Sequence, residues 1–269
     1  MQMNEFERFV ATSPFLSGMI ASFLAGTVAT TLGALPILAL RHLSANLTNV
    51  LLSFAAGIML AATMFSLLMP GYDAGLARHG DKAAAAVIVL ISLGAGGFVL
   101  WLVNRHVPHE HFCKGCEGDN TKRLGRIWLF VIAIVIHNFP EGLAVGVGAA
   151  SGSVSTGLGV TLGIGLQNFP EGLAVAAGMM AVGYGRGVAF FAALLSGVVE
   201  PVGGIVGAGA VAFSDLMLPW ALAFAAGAML YVISSEVIPE THRPGFERGA
   251  TTALFTGFAT MFFLAAMLG

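Results

Sequence analysis

The chain has 269 residues, of which 57% are hydrophobic and 10% charged, with a formal net charge of −2 and a mean hydropathy of +0.87. No water-soluble domain of this length needs so much apolar surface. The near-neutral balance offers no electrostatic footprint for a polyanion, so no nucleic-acid partner is expected.

A helix crosses a bilayer with about 20 apolar residues. Runs of that kind lie near 17–40, 47–70, 83–103, 126–150, 156–180, 186–211, 217–239 and 249–268. They predict an all-α membrane protein with eight transmembrane helices in a single domain, 1–269. The residues before the first run, Met-Gln-Met-Asn-Glu-Phe-Glu-Arg, lack the basic stretch of a signal peptide, so the first span is expected to be retained. Nine of the 12 Lys and Arg residues fall between spans 1 and 2, 3 and 4, 5 and 6, and 7 and 8. Basic residues stay on the cytoplasmic side, which predicts a protein of the cell (inner) membrane with both termini extracytoplasmic.

After the second span comes Asp73, following Pro70-Gly71 at the outer face. It is read as a cation-attracting entrance group, in competition with a plain solvated loop carboxylate. The third connection, 104–125, is a cytoplasmic loop holding His106, His109, Glu110, His111, Cys113 and Cys116. A His-x-His beside a Cys-x-x-Cys is a zinc-binding pattern, and on a reducing face the thiols stay free to act as ligands. It is a candidate receiving or release site, weighed against a polar loop with incidental ligands.

Spans 4 and 5 each carry the phrase Asn-Phe-Pro-Glu-Gly-Leu-Ala-Val, at Asn138–Val145 and Asn168–Val175. At about 100° per residue, His137 and Glu141 project about 40° apart, with Asn138 about 60° to the other side of Glu141. Each carboxylate is therefore flanked by other metal-ligating groups, and Gln167, Asn168 and Glu171 repeat the layout. Two such helices face to face would hold two adjacent cations bridged by the carboxylates. Pro140 and Pro170 free the carbonyls of Ile136 and Leu166, which a membrane tolerates where a polar cavity is lined. A kink motif alone would not require the carboxylate.

Span 6 adds Glu200 before Pro201, among small residues that let helices approach closely. Span 7 ends with Glu236, Glu240 and His242, read as a release path or as snorkelling groups at a helix end. All 12 Lys and Arg residues fall in loops or at helix ends, whereas Glu141, Glu171, Glu200 and Glu236 lie within the spans, and four intramembrane carboxylates would cost on the order of 10 kcal/mol without protons or metal ions. Phe-Ala-Ala-Gly-Ile-Met-Leu at 54–60 returns as Phe-Ala-Ala-Gly-Ala-Met-Leu at 224–230, in helices of opposite direction. With the antiparallel twins of spans 4 and 5, this predicts an inverted-repeat transporter that binds its cargo near the midplane.

The residues His-Asn-Phe-Pro-Glu-Gly at 137–142, Gln-Asn-Phe-Pro-Glu-Gly at 167–172, Glu-Pro at 200–201 and Glu-Val-Ile-Pro-Glu-Thr-His at 236–242 resemble the ZIP family of divalent metal transporters, in particular its bacterial GufA-like branch. The resemblance covers essentially the whole chain. It implies the ZIP transporter fold and import of Zn²⁺, with Cd²⁺, Fe²⁺ and Mn²⁺ as further cargo, through a binuclear site between helices 4, 5 and 6. It assigns the first ion to His137, Glu141, Gln167 and Glu171 with the thioether of Met59. The second falls to Asn138, Asn168 and Glu200, with Glu141 and Glu171 bridging. It also implies an elevator in which helices 1, 4, 5 and 6 slide against the other four.

Many eukaryotic relatives have His where this chain has Gln167, and close bacterial relatives can carry Asp in place of Asn168, so the second ion should be held more weakly. Zinc enters this reading as substrate; no cofactor is expected, and the partners are divalent ions, the lipid bilayer and a second copy of the chain in a homodimer. The competing readings are a proton-coupled cation antiporter or a channel. An intramembrane zinc hydrolase fits less well, since it would call for His-Glu-x-x-His or several histidines and this chain has one intramembrane histidine.

Overall fold

A computed structural model describes residues 12–40, 43–107, 109–111, 115–117, 126–181 and 183–268. The helices are α1 (Pro14–Leu38), α2 (Ala45–His79), α3 (Lys82–His106), α4 (Arg126–Ala149), α5 (Val154–Ala181), α6 (Arg186–Phe213), α7 (Asp215–Thr241) and α8 (Glu247–Leu268). Between α3 and α4, β1 (His109–His111) and β2 (Gly115–Glu117) form a small antiparallel hairpin with Glu110 opposite Cys116. The protein is otherwise helical among the described residues, and large apolar side chains such as Leu90, Phe191 and Phe255 face outward, as lipid contact requires.

The helix ends follow ordinary capping chemistry. Ser44 starts α2 by accepting the Leu47 amide at 3.2 Å, and Asp81 starts α3 by accepting those of Ala83 and Ala84. Helix α2 continues to His79, well past the apolar run that ends at 70, and stops at Gly80 with φ +66°. Pro70 does not end it, because the π-helical turn Thr63–Leu68 precedes it and the proline falls in the first turn of the α-helical segment that follows. There its missing N–H is tolerated. Asp73 consequently sits on a helix and not in a loop.

The echo between helices 2 and 7 is a true structural repeat. A methyl group added to Gly57 of α2 would strike the Leu254 carbonyl of α8, and one on Gly257 would strike that of Phe54. The corresponding residues of the other half do the same: Gly227 of α7 meets the Leu93 carbonyl of α3, and Gly96 meets that of Phe224. Even the π-helical turns correspond, Thr63–Leu68 in α2 and Ile233–Val237 in α7. The repeat extends to α1 and α6, which the sequence comparison had not paired. Gly33 abuts the Phe169 carbonyl of α5 as Gly203 abuts the Phe139 carbonyl of α4, and Gly172 meets Thr30 as Gly142 meets Glu200.

These backbone-to-backbone approaches divide the helices into two groups. Helices α1, α4, α5 and α6 are interlocked through glycine, whereas α2 pairs in this way with α8 and α3 with α7. Across the boundary, glycines of α5 meet side chains instead: Gly159 faces Ser66 of α2, and Gly163 faces the thioether of Met261 of α8.

Candidate metal centre

Prolines shape the centre of the first group. Pro140, Pro170 and Pro201 lie inside α4, α5 and α6, and each adjoins an acidic residue: Glu141, Glu171 and Glu200. Proline at 201 releases the carbonyl four residues back, that of Gly197. The Thr27 hydroxyl of α1 fills this vacancy, donating to the Gly197 carbonyl at 2.8 Å. The carbonyl freed by the proline is thus satisfied from the neighbouring helix.

Glu200 is fully buried and bracketed by two amides. Asn168 donates to its carboxylate oxygens at 2.9 and 2.8 Å, and Asn138 donates to Oε1 at 3.3 Å. Asn168 also reaches the Ala25 carbonyl at 2.8 Å, which lies in the π-helical turn Phe23–Val28 of α1. Glu141 is buried, with Gln167 beside it, and Glu171 is partly accessible; Glu171 lies within Coulombic reach of His137, Glu141 and Glu200. The structure therefore gathers Asn138, Glu141, Gln167, Asn168, Glu171 and Glu200 into one polar centre.

In that centre unpaired oxygens outnumber unpaired nitrogens, of which Gln167 Nε2 is one. Asn138 Oδ1, Glu141 Oε2, Gln167 Oε1 and Asn168 Oδ1 are all buried without a hydrogen-bond partner. Buried oxygen acceptors left unpaired cost free energy, and a divalent cation satisfies several at once. Among the described residues no three His, Cys, Asp or Glu side chains lie together in an arrangement that could hold a metal ion, and the amide oxygens of Asn138, Gln167 and Asn168 stand beside the carboxylates as further oxygen donors. Carboxylate, amide and imidazole donors without thiolate suit exchangeable binding of a borderline or harder ion.

His137 lies at the edge of this centre, and its Nε2 is paired with Glu236 of α7. Glu236 is 3% exposed and also accepts from Asn104 of α3 at 2.9 Å, with the Tyr231 hydroxyl at 3.3 Å from the same amide. The sequence reads Glu236 both as the fourth intramembrane carboxylate and as a group at the inner end of the seventh span; the structure buries it and joins it to His137, a proposed ligand. Asn104 and Ala25 were not singled out. One signal was available for Asn104, an amide directly after the apolar run that ends at 103, where the helix continues to His106, but a backbone carbonyl carries no sequence mark.

The remaining candidates are spread out. Met59 is buried in the apolar cluster that also holds Ala25 and Ile164. Glu240 has a buried Oε2 without a partner near the end of α7, and His242 follows the helix with Nδ1 at 3.1 Å from the Thr241 hydroxyl. His106 ends α3 with Nδ1 at 2.9 Å from the Leu102 carbonyl. His109, Glu110, His111 and Cys116 fall on the hairpin strands, while Cys113 lies outside the described residues. Asp73 lines a cleft of about 330 Å³ with Ser66, Ser151, Ser153, Ser155 and Thr156.

Comparison with known proteins follows the same lines. A family described as ZIP Zinc transporter matches residues 104–265. The chain is 47% identical over 253 residues to "Zinc transporter GufA" of Myxococcus xanthus, covering 94% of this chain and 99% of that one. It is 47% identical to "Zinc transporter ZIPB" of Bordetella bronchiseptica, covering 91% and 79%. A more distant relative, "Zinc transporter ZupT" of Chlorobium phaeovibrioides, is 33% identical over 90% of this chain and 94% of its own length.

Proposed function

The chain belongs to the ZIP family of zinc transporters, and we propose that it carries Zn²⁺ across the cell membrane toward the cytoplasm through a binuclear site between α4, α5 and α6. It is a transporter and not an enzyme. The observation that carries the site is the set of four orphaned buried oxygens around Glu141 and Glu200, on helices whose Lys and Arg residues lie only at their ends. The first ion takes His137, Glu141, Gln167 and Glu171, with Met59 as a thioether donor. The second takes Asn138, Asn168 and Glu200, with Glu141 and Glu171 bridging. Cd²⁺, Fe²⁺ and Mn²⁺ fit the same oxygen and nitrogen donors.

Alternating access is of elevator type, with α1, α4, α5 and α6 moving as one body. Support comes from the distribution of close contacts. Glycine-to-carbonyl packing locks that group internally, and its boundary runs through adaptable side chains such as Met261. The His137–Glu236 pair bridges the two groups and has to open when the body slides. Both termini lie outside, so the cleft beside Asp73 is the outer entrance and the ends of α3 and α7, with the hairpin's His and Cys residues, the inner exit. Asp73→Asn is expected to raise the half-saturating zinc concentration several-fold without changing the maximal rate, an effect that fades as salt screens an exposed charge. An unchanged concentration dependence at low salt excludes Asp73 from the entrance.

The direct test is radioactive zinc uptake into proteoliposomes, followed against pH and membrane potential. Saturable uptake that weakens on acidification is expected, because carboxylate and imidazole ligands must be deprotonated to bind. Proton flux without metal flux would instead identify an antiporter, and ohmic current a channel. Anomalous scattering from a zinc-soaked crystal should peak between Glu141, Glu171 and Glu200.

A further inference from the structure

Helices α2 and α8 meet backbone to backbone at the Gly57–Leu254 and Gly257–Phe54 contacts, and toward the bundle end that carries Arg243 and Arg248 their side chains leave a wedge between them. The wedge between them is a groove of about 670 Å³, lined by Val50, Leu51 and Phe54 of α2 and by Arg248, Thr252 and Thr256 among the α8 residues. That volume falls in the range of about 300–1,000 Å³ typical of ligand pockets.

The threonines offer no free donor to a polar guest. Thr252 donates to the Arg248 carbonyl at 2.9 Å and Thr256 to the Thr252 carbonyl at 2.8 Å. The groove wall is therefore effectively hydrocarbon, with one charge at its mouth. Arg248 is exposed and makes no ion pair among the described residues, while the neighbouring Glu247 is turned to the loop, accepting the Gly245 amide at 2.9 Å. Its other neighbour, Gly249, leaves the mouth open: a methyl group there would meet only Val50, at 4.0 Å.

The inverted repeat supplies an internal comparison. In the α7–α3 pair, Trp220 stands where α2 has Val50, and Ile88 stands where α8 has Gly249. There the Trp220 carbonyl accepts the Ser92 hydroxyl at 2.5 Å, closing the mate across the position equivalent to Ala253. Val87 replaces Arg248, so the mate lacks the charge, and the small Gly249 at the mouth has the bulkier Ile88 as its counterpart. The guanidinium and the glycine beside it are thus particular to one wedge.

We propose that the α2–α8 wedge binds an anionic phospholipid, its acyl chain in the groove and its phosphodiester on the Arg248 guanidinium. Basic pockets between transmembrane helices recognise such headgroups, and burial of each methylene of the chain adds to the hold. Guanidinium pairs with phosphate through parallel N–H donors, which selects against zwitterionic lipid less by reach than by net charge.

Native mass spectrometry of the full chain in detergent, titrated with phosphatidylglycerol or with phosphatidylcholine, tests this. The wild type is expected to retain one phosphatidylglycerol at least fivefold better than phosphatidylcholine. Arg248→Gln should abolish that preference, Arg248→Lys should restore part of it, and Gly249→Phe should reduce retention of both lipids by filling the mouth. The melting temperature of the delipidated variants should match that of the wild type, since both positions are exposed. Equal retention of the two lipids by the wild type, or retention unaffected by Gly249→Phe, overturns the proposal. So does a lipid-free dimer that Gly249→Phe dissociates, which would make a second copy the occupant.

Discussion

Glu141→Ala is expected to lower saturable zinc uptake by about 100-fold, and Glu171→Ala by nearly as much. Each carboxylate serves both ions in the proposed site, so its loss removes a charged ligand from two coordination spheres at once. A charge-assisted contact of this kind contributes about 1.5–3 kcal/mol, and about 2.7 kcal/mol corresponds to 100-fold. Burial sharpens the effect: Glu141 is 1% exposed, so no water can take the place of the missing oxygen cheaply. Glu141→Gln keeps the volume and one oxygen while losing the charge, and should fall between wild type and Glu141→Ala. Uptake per reconstituted molecule, at zinc concentrations spanning half-saturation, measures this. Wild-type uptake by the alanine variant would remove Glu141 from the zinc path.

The amide positions carry a finer expectation. Asn168 holds Glu200 by donating to it, and its own Oδ1 has no partner. An aspartate there would exchange that donor for a second charge beside Glu200. Asn168→Asp should therefore tighten zinc binding when both acids are ionised and make uptake fall more steeply on acidification. A binding isotherm unchanged at high pH would show that position 168 does not touch the ion.

How far the sequence could anticipate this arrangement depends on how each feature is encoded. Eight helices were legible because hydrocarbon thickness demands long apolar runs, and the twin phrase in α4 and α5 was legible because its polar residues stand out against such runs. The α1–α6 half of the repeat was hidden. Its matched positions are Thr30 with Glu200 and Gly33 with Gly203, and glycine and threonine are unremarkable in membrane helices. The extension of α2 to His79 was hidden for a different reason: Pro70 looks like a stop unless the π-helical turn before it is known. The His137–Glu236 pair joins residues far apart in the chain, and helical spacing within one segment says nothing about which helix a side chain will meet. Local chemistry was readable, whereas partnership between helices was not.

Gly26 shows what that hidden half does, and Gly26→Ala is expected to reduce transport at least tenfold. A methyl group at position 26 would lie 2.5 Å from Cβ of Glu200 and 2.8 Å from its Cδ and Oε2, well inside van der Waals contact. The carboxylate has nowhere to retreat, since Asn138 and Asn168 hold its oxygens and Gly142 of α4 packs on its own backbone. Either Glu200 leaves its amide bracket or α1 moves away from α6, and overpacking of this sort costs about 1–3 kcal/mol. The nearest of these atoms is the Cβ, which aspartate keeps, so Glu200→Asp does not relieve the contact, and uptake by the Gly26→Ala, Glu200→Asp double variant should not recover above that of Gly26→Ala alone. Gly94→Ala on α3, where a methyl group meets nothing within 4 Å, should leave uptake unaltered and serves as the control. Normal transport by Gly26→Ala would mean that Glu200 is free to move without consequence, and its place at the centre of the site would have to be given up.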